Sequence, residues 1–252
     1  MLEARSVAVI GASDRTGSVG EQMLRQLLVG GFDGDVHPVN PRYGELVGRP
    51  CVPSIGDLPG PVDLALLGVP NAALEETLTQ AAGAGARSAV IFASGHEESP
   101  EGIPTLTERL AGIARQAGMA VCGGNCMGFV NVERRLRALA FPERADLEPG
   151  GITLVSHSGS VFSAFLRNER GLRCNIAVSA GQELVTTVAD YMAYALTLPS
   201  TRVLALFLET VRDPAGFREA LDEAAHLDVP VVVLKVGREA RAKELIQAHS
   251  GA

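Results

Sequence analysis

The residues best placed to do chemistry stand near the two ends of the chain. At the carboxyl end, Ala248-His249-Ser250-Gly251-Ala252 sets one histidine among small residues. An imidazole in such company suits a group that must be reached and modified, because nothing beside it fills a core. At the amino end, Val7-Ala8-Val9-Ile10-Gly11-Ala12-Ser13-Asp14-Arg15-Thr16-Gly17-Ser18-Val19-Gly20 reads as strand, glycine-rich turn, helix. Glycines let a backbone approach a phosphate, and the following helix start offers unpaired N–H groups and a positive dipole end. Ser13 and Ser18 add hydroxyl donors there.

The ligand of that first turn can be narrowed. Ser13 replaces the second glycine of the dinucleotide pattern, and the turn is longer. A nicotinamide reader usually has an acid at the end of its second strand to hold the ribose 2′-hydroxyl. Here that place reads His37-Pro38-Val39-Asn40-Pro41-Arg42, with no acid and a cation nearby. Such a site suits a ligand with an extra ribose phosphate, coenzyme A or NADP. Val69-Pro70 and Ser94-Gly95 follow the third and fourth strands, at the edge where open parallel sheets bind ligands.

Those positions presuppose a particular frame. Short apolar runs at residues 6–10, 36–39, 63–69, 88–93 and 119–122 read as strands, with helices at 19–28, 72–84 and 101–116. This rhythm predicts an α/β fold with a parallel sheet covered on both faces. Residues 40–60, rich in Pro and Gly, are expected to loop over the sheet edge, and 141–151 to form a linker. A second series follows, with strands at 152–155, 175–179, 202–208 and 231–236 and helices at 161–170, 185–196 and 215–225. The basic, Ala-rich stretch 237–243 reads as helical. Two domains result, 1–145 and 146–252.

Composition excludes several classes. With 252 residues, net charge −7 and no block of Lys or Arg, the chain lacks the basic footprint of a nucleic-acid binder. No apolar run spans a bilayer and the amino end does not read as a signal peptide, so a cytoplasmic protein is expected. The four cysteines are scattered, as in a reducing compartment. Cys122 and Cys126 form the one close pair, without the further ligands of a zinc site, so no metal is expected.

The ordered motifs carry a resemblance. Gly11 to Gly20, Pro38-Val39-Asn40-Pro41, Val69-Pro70, Ala93-Ser94-Gly95 and Gly123-Gly124-Asn125-Cys126-Met127-Gly128 are followed by Val155-Ser156-His157-Ser158-Gly159-Ser160 and Ser179-Ala180-Gly181-Gln182-Glu183. Phe207-Leu208-Glu209-Thr210-Val211-Arg212-Asp213-Pro214 and Leu234-Lys235-Val236-Gly237-Arg238 then lead to His249. In this order, over essentially the whole chain, the set resembles nucleoside-diphosphate-forming acyl-CoA synthetases and the succinyl-CoA synthetase alpha subunit.

The resemblance implies a Rossmann-like CoA-binding domain followed by a flavodoxin-like, succinyl-CoA synthetase-like domain. It implies an acid-thiol ligase in which His249 accepts phosphate and Glu209 orients that imidazole. Ser158, Gly159 and Ser160 would cradle the phosphoryl group. CoA would contact Gly11, Ser13, Gly17, Ser18, Val19, Asn40, Pro41, Arg42, Val69, Pro70, Ser94, Gly95, Asn125 and Cys126. Asn125 would hold the substrate carbonyl or the pantetheine end, while Cys126, with no activating base nearby in sequence, reads as packing. Relatives usually have Pro at the place of Gly124 and Gln at that of His157, and Asn-Lys or Asn-Glu at that of Gln182-Glu183. They also continue beyond the His loop, so the chain reads as truncated. ATP, ADP and Mg2+ are expected only on an ATP-grasp module, in cis or as a beta-type subunit, within an oligomer. Two other readings are a CoA-responsive module without catalysis and an NAD(P)-dependent oxidoreductase.

Overall fold

The structure is a computed structural model that describes residues 1–97, 99–100 and 102–237. His249 and the helical stretch expected beyond Gly237 lie outside the described residues.

The first half is built from β1 (Ser6–Ile10), α1 (Val19–Val29), β2 (Asp35–Val39), a small hairpin of β3 (Glu45–Leu46) and β4 (Arg49–Pro50), β5 (Leu64–Leu67), α2 (Asn71–Gly83), β6 (Ser88–Ile91), α3 (Leu106–Gln116) and β7 (Ala120–Gly123). Strands β2-β1-β5-β6-β7 form one sheet in that order, all parallel. Leu64–Leu67 and Ser88–Ile91 are buried throughout, as continuous apolar runs must be when helices cover both faces. The expected loop over residues 40–60 is more ordered than its composition suggests. Val47 and Gly48, both at positive φ, turn the β3–β4 hairpin, and Ser54 with Asp57 closes a capping box on a short 3-10 turn. Helix α3 starts at Leu106 rather than near 101. Pro104 disfavours helical geometry at the residue before it, and Thr105 with Glu108 forms the capping box that opens the helix.

The second half contains β8 (Gly128–Asn131), β9 (Leu136–Leu139), β10 (Ile152–Ser156), α4 (Gly159–Leu166), β11 (Cys174–Ser179), α5 (Val188–Leu196), β12 (Val203–Leu208), α6 (Pro214–His226) and β13 (Val231–Lys235). Its sheet runs β13-β12-β10-β11-β8-β9. The first four strands are parallel, as the flavodoxin-like expectation requires. The β8–β9 hairpin adds two unanticipated strands at one edge; it pairs antiparallel to β11 and makes the sheet mixed. Sequence patterning missed it: both strands are four residues long and fully buried, so neither alternates, and charged Glu133-Arg134-Arg135 looks like a plain loop.

That hairpin precedes the stretch 141–151, yet its strands belong to the sheet that follows it. It also packs against α1 of the first half. Leu24 and Leu27 of α1, Leu136 and Ala138 of β9, Phe129 of β8 and Val178 of β11 fall in one continuous core. Arg137 of β9, nearly buried, donates from its guanidinium to Arg144 O and Ala145 O at 2.7 Å each, fastening the connecting segment. Among the described residues no helix is long and apolar enough to cross a membrane.

Phe129 is fully buried on the strand where the two halves share their core. Phe129→Ala is expected to lower stability by about 3–5 kcal/mol through the cavity it leaves, measured by denaturant unfolding. A loss below about 1 kcal/mol would refute the shared core.

Candidate functional site

The first turn is shaped by close backbone approach. Gly11 has φ +83°, and a Cβ on Gly20 would collide with Gly11 O, so α1 begins directly against the end of β1. Ser18 caps α1 by accepting from Glu21 N at 3.2 Å, and Gly17 N donates to Glu21 Oε2 at 3.3 Å. Ser13 Oγ accepts from Arg15 N and lies 3.3 Å from the Tyr43 hydroxyl. Asn40 stands where a dinucleotide reader keeps its acid. Its Nδ2 donates to Ala12 O at 2.7 Å, and its Oδ1 accepts from Arg42 N at 3.0 Å. One amide thus ties the turn after β1 to the turn after β2.

These turns open a groove of about 830 Å³. Of the residues expected to contact a ligand, Gly11, Ser13, Ser18, Val19, Asn40, Pro41, Arg42, Val69 and Pro70 line it together. Arg15 adds a second cation. Sequence reasoning missed Tyr43, Ser54, Ile55, Thr77 and Gln80 in its wall. The signal available for the first three was the ordered β2–β5 connection. For Thr77 and Gln80 it was the face of α2 that follows Val69-Pro70.

Gly17, Ser94, Gly95, Asn125 and Cys126 lie outside that groove lining, the last four beyond the ends of β6 and β7. Asn71 holds the 94–96 loop: its Oδ1 accepts from Gly95 N at 3.1 Å and its Nδ2 donates to His96 O at 3.0 Å. Asn125, at φ +52°, donates its backbone N–H to Ala93 O at 2.9 Å. The Cys126 thiol is turned inward toward Ile91 O, and burial pushes it well above its ordinary pKa.

The two halves meet at glycines. Gly181 has φ +60°, and a Cβ there would collide with Gly124 O. Gln182 N donates to Gly124 O at 2.8 Å and Leu184 N to Gly123 O at 2.9 Å. Thr186 continues the seam by accepting from Val121 N through its Oγ1 at 3.1 Å.

On the second sheet, β10 ends at Ser156 and α4 begins at Gly159. Ser158 is the N-cap, accepting from Val161 N at 3.3 Å, while Ser156 Oγ donates to Ser158 O and accepts from Ser158 N. The amides of Gly159 and Ser160 sit in the first turn, where a helix supplies no acceptor of its own. Glu209 follows β12, beside the same loop, because Ser156 pairs with Phe207. Ser158, Gly159, Ser160 and Glu209 therefore share one edge of the sheet. His157 belongs to that loop but is almost wholly buried, with Nδ1 accepting from Glu209 N at 3.0 Å. Its ring is directed inward, with Nε2 facing the buried Glu183 carboxylate. Among the described residues no group of three His, Cys, Asp or Glu side chains comes together as a metal site.

Comparison with known proteins places this geometry. Residues 5–132 match the CoA binding domain family and residues 149–252 the succinyl-CoA ligase like flavodoxin domain. A trans-feruloyl-CoA synthase from an unknown prokaryotic organism is 34% identical over 258 aligned residues, covering 100% of this chain and 36% of that protein. The alpha subunit of an ADP-forming acetate–CoA ligase from Pyrococcus furiosus is 30% identical, covering 100% of this chain and 55% of its own length. The structure of a Ca. Korarchaeum cryptofilum dinucleotide-forming acetyl-coenzyme A synthetase, in complex with phosphate and ADP, superposes with a TM-score of 0.88 at 30% identity. The match covers 100% of this chain and 54% of that one. The chain thus spans about half or less of the length of these three relatives. On these matches the chain belongs to the CoA-binding domain family, with a succinyl-CoA ligase-like flavodoxin domain joined behind it as in ADP-forming acyl-CoA ligases.

Proposed function

We propose that this chain is the CoA-binding, phosphoryl-carrying part of an ADP-forming acyl-CoA ligase. The observation that carries the reading is the pairing of two phosphate-suited helix starts, α1 beside Asn40 and α4 beside Glu209, on sheets joined by the Gly124–Gly181 seam. One would hold a phosphorylated nucleotide portion and the other a phosphoryl group in transit.

In this reading His249 attacks the γ-phosphorus of ATP, the bond to ADP breaks, and the phosphoryl group is carried on the imidazole. An acid oxygen then takes that phosphoryl group to give an acyl phosphate and free His249. The CoA thiol attacks the acyl carbon, losing its proton and expelling inorganic phosphate. Glu209 would stabilise the imidazole as it gains charge, and the Gly159 and Ser160 amides would face the phosphoryl oxygens. ATP and Mg2+ belong on an ATP-grasp module, in cis or as a partner subunit. Cytoplasmic placement fits four buried free thiols.

Calorimetric titration of the purified chain is expected to give CoA binding and no binding of NADH or NADPH. Asn40→Ala should weaken that affinity roughly tenfold, since it unties the two turns at the cost of about one hydrogen bond. Dinucleotide binding without CoA binding would overturn the reading. With an ATP-grasp partner supplied, His249→Ala is expected to abolish thioester formation while CoA affinity stays within about twofold. Turnover retained by that variant would remove His249 from the mechanism. Glu209→Gln should slow phosphorylation by about a hundredfold or more, the usual range when a preorganised group that stabilises developing charge is lost.

A further inference from the structure

Three strand ends converge on one buried imidazole. His157 follows β10, Glu183 lies beyond β11 and Glu209 follows β12, with His157 only 3% and Glu183 only 4% exposed. The Glu209 N–H donates to His157 Nδ1 at 3.0 Å. That nitrogen therefore carries a lone pair, and the ring proton sits on Nε2, in a neutral imidazole. Nε2 faces Glu183 Oε1 at 3.2 Å. The approach is off-line, and Nε2 and Glu183 Oε2 complete no hydrogen bond in this arrangement. Glu183 Oε1 also accepts from Val188 N, at the start of α5, whose positive end favours a carboxylate. From the other side Lys235 Nζ donates to Glu209 O at 2.8 Å. The Glu209 backbone is thus gripped on both of its polar groups.

Burying an imidazole against a carboxylate is a costly way to join strands, since an apolar pair of equal volume would do it as well. Glu183 adds a left-handed backbone, φ +53°, at a non-glycine. Strain and buried polarity together mark a constraint kept for something other than packing. We propose that His157, braced by Glu183, is a positioning residue that fixes the Glu209 carboxylate for the phosphoryl-transfer step. The inference rests on the function proposed above, and one arm of its test does not depend on it.

The first arm uses the full chain with its ATP-grasp partner and follows transfer of labelled phosphate from ATP to the chain. His157→Leu keeps bulk but strands the Glu209 amide. It should cut the single-turnover rate about tenfold or more while the Kd for CoA stays unchanged. His157→Asn offers an acceptor close to the Nδ1 position and should recover most of that rate. Wild-type phosphorylation in the leucine variant would overturn the proposal. So would loss of CoA affinity in step with the rate, which is the signature of a purely structural role. The second arm is 15N NMR of the histidine ring in the unphosphorylated wild-type chain, assigned by its disappearance in His157→Asn. A neutral ring protonated at Nε2, with Nδ1 as acceptor, is expected; a proton on Nδ1 would overturn the proposal. Should the wild type take no label while the ring shows the expected tautomer, the proposed function fails and the proposed role falls with it.

Discussion

The backbones of Gly124 and Gly181 touch, and most of what the molecule does is conditioned by that contact. No side chain fits between them, so the carboxyl end of β7 and the loop after β11 are held at bare main-chain distance. Hydrogen bonds from Gln182 N to Gly124 O and from Leu184 N to Gly123 O lock the seam in register. Parallel sheets gather their reactive loops at the carboxyl ends of their strands. A seam placed there brings two such edges together. The CoA-type groove and the Ser158–Ser160 turn inherit their relation from it.

Much of this frame was legible in the sequence, for a physical reason. The parallel strands are short, continuous apolar runs because both their faces are covered, and the segments between them carry helical spacing. Ser6–Ile10 is bounded as its composition suggests, and the other parallel strands differ by at most two residues at an end. The β8–β9 hairpin was not legible. Its strands are buried on both faces like their neighbours, but at four residues each they are too short to stand out, and their partner is coded more than forty residues later. Local pattern carries no information about that pairing.

The candidate site divides along the same line. Backbone-driven parts, the glycine turn at Gly11 and the helix start at Ser158, could be read from residue type alone. Side-chain parts set by tertiary contact could not. Tyr43 enters the groove from a hairpin connection, and Glu183 reaches His157 from a left-handed turn. His157 was visible as an oddity beside Ser158, yet its inward direction depends on the Glu209 amide across the sheet.

The hairpin also bears on the order in which the chain leaves the ribosome. Gly128–Leu139 emerges before any strand of the sheet it will join, while α1, already made, needs β9 as part of its cover. During synthesis the hairpin can dock first on α1 and wait there with one edge unpaired until β11 arrives. An unpaired edge is an invitation to foreign strands. A fragment ended within residues 141–151 would keep that edge permanently open, so the apparent linker is a poor place to divide this protein.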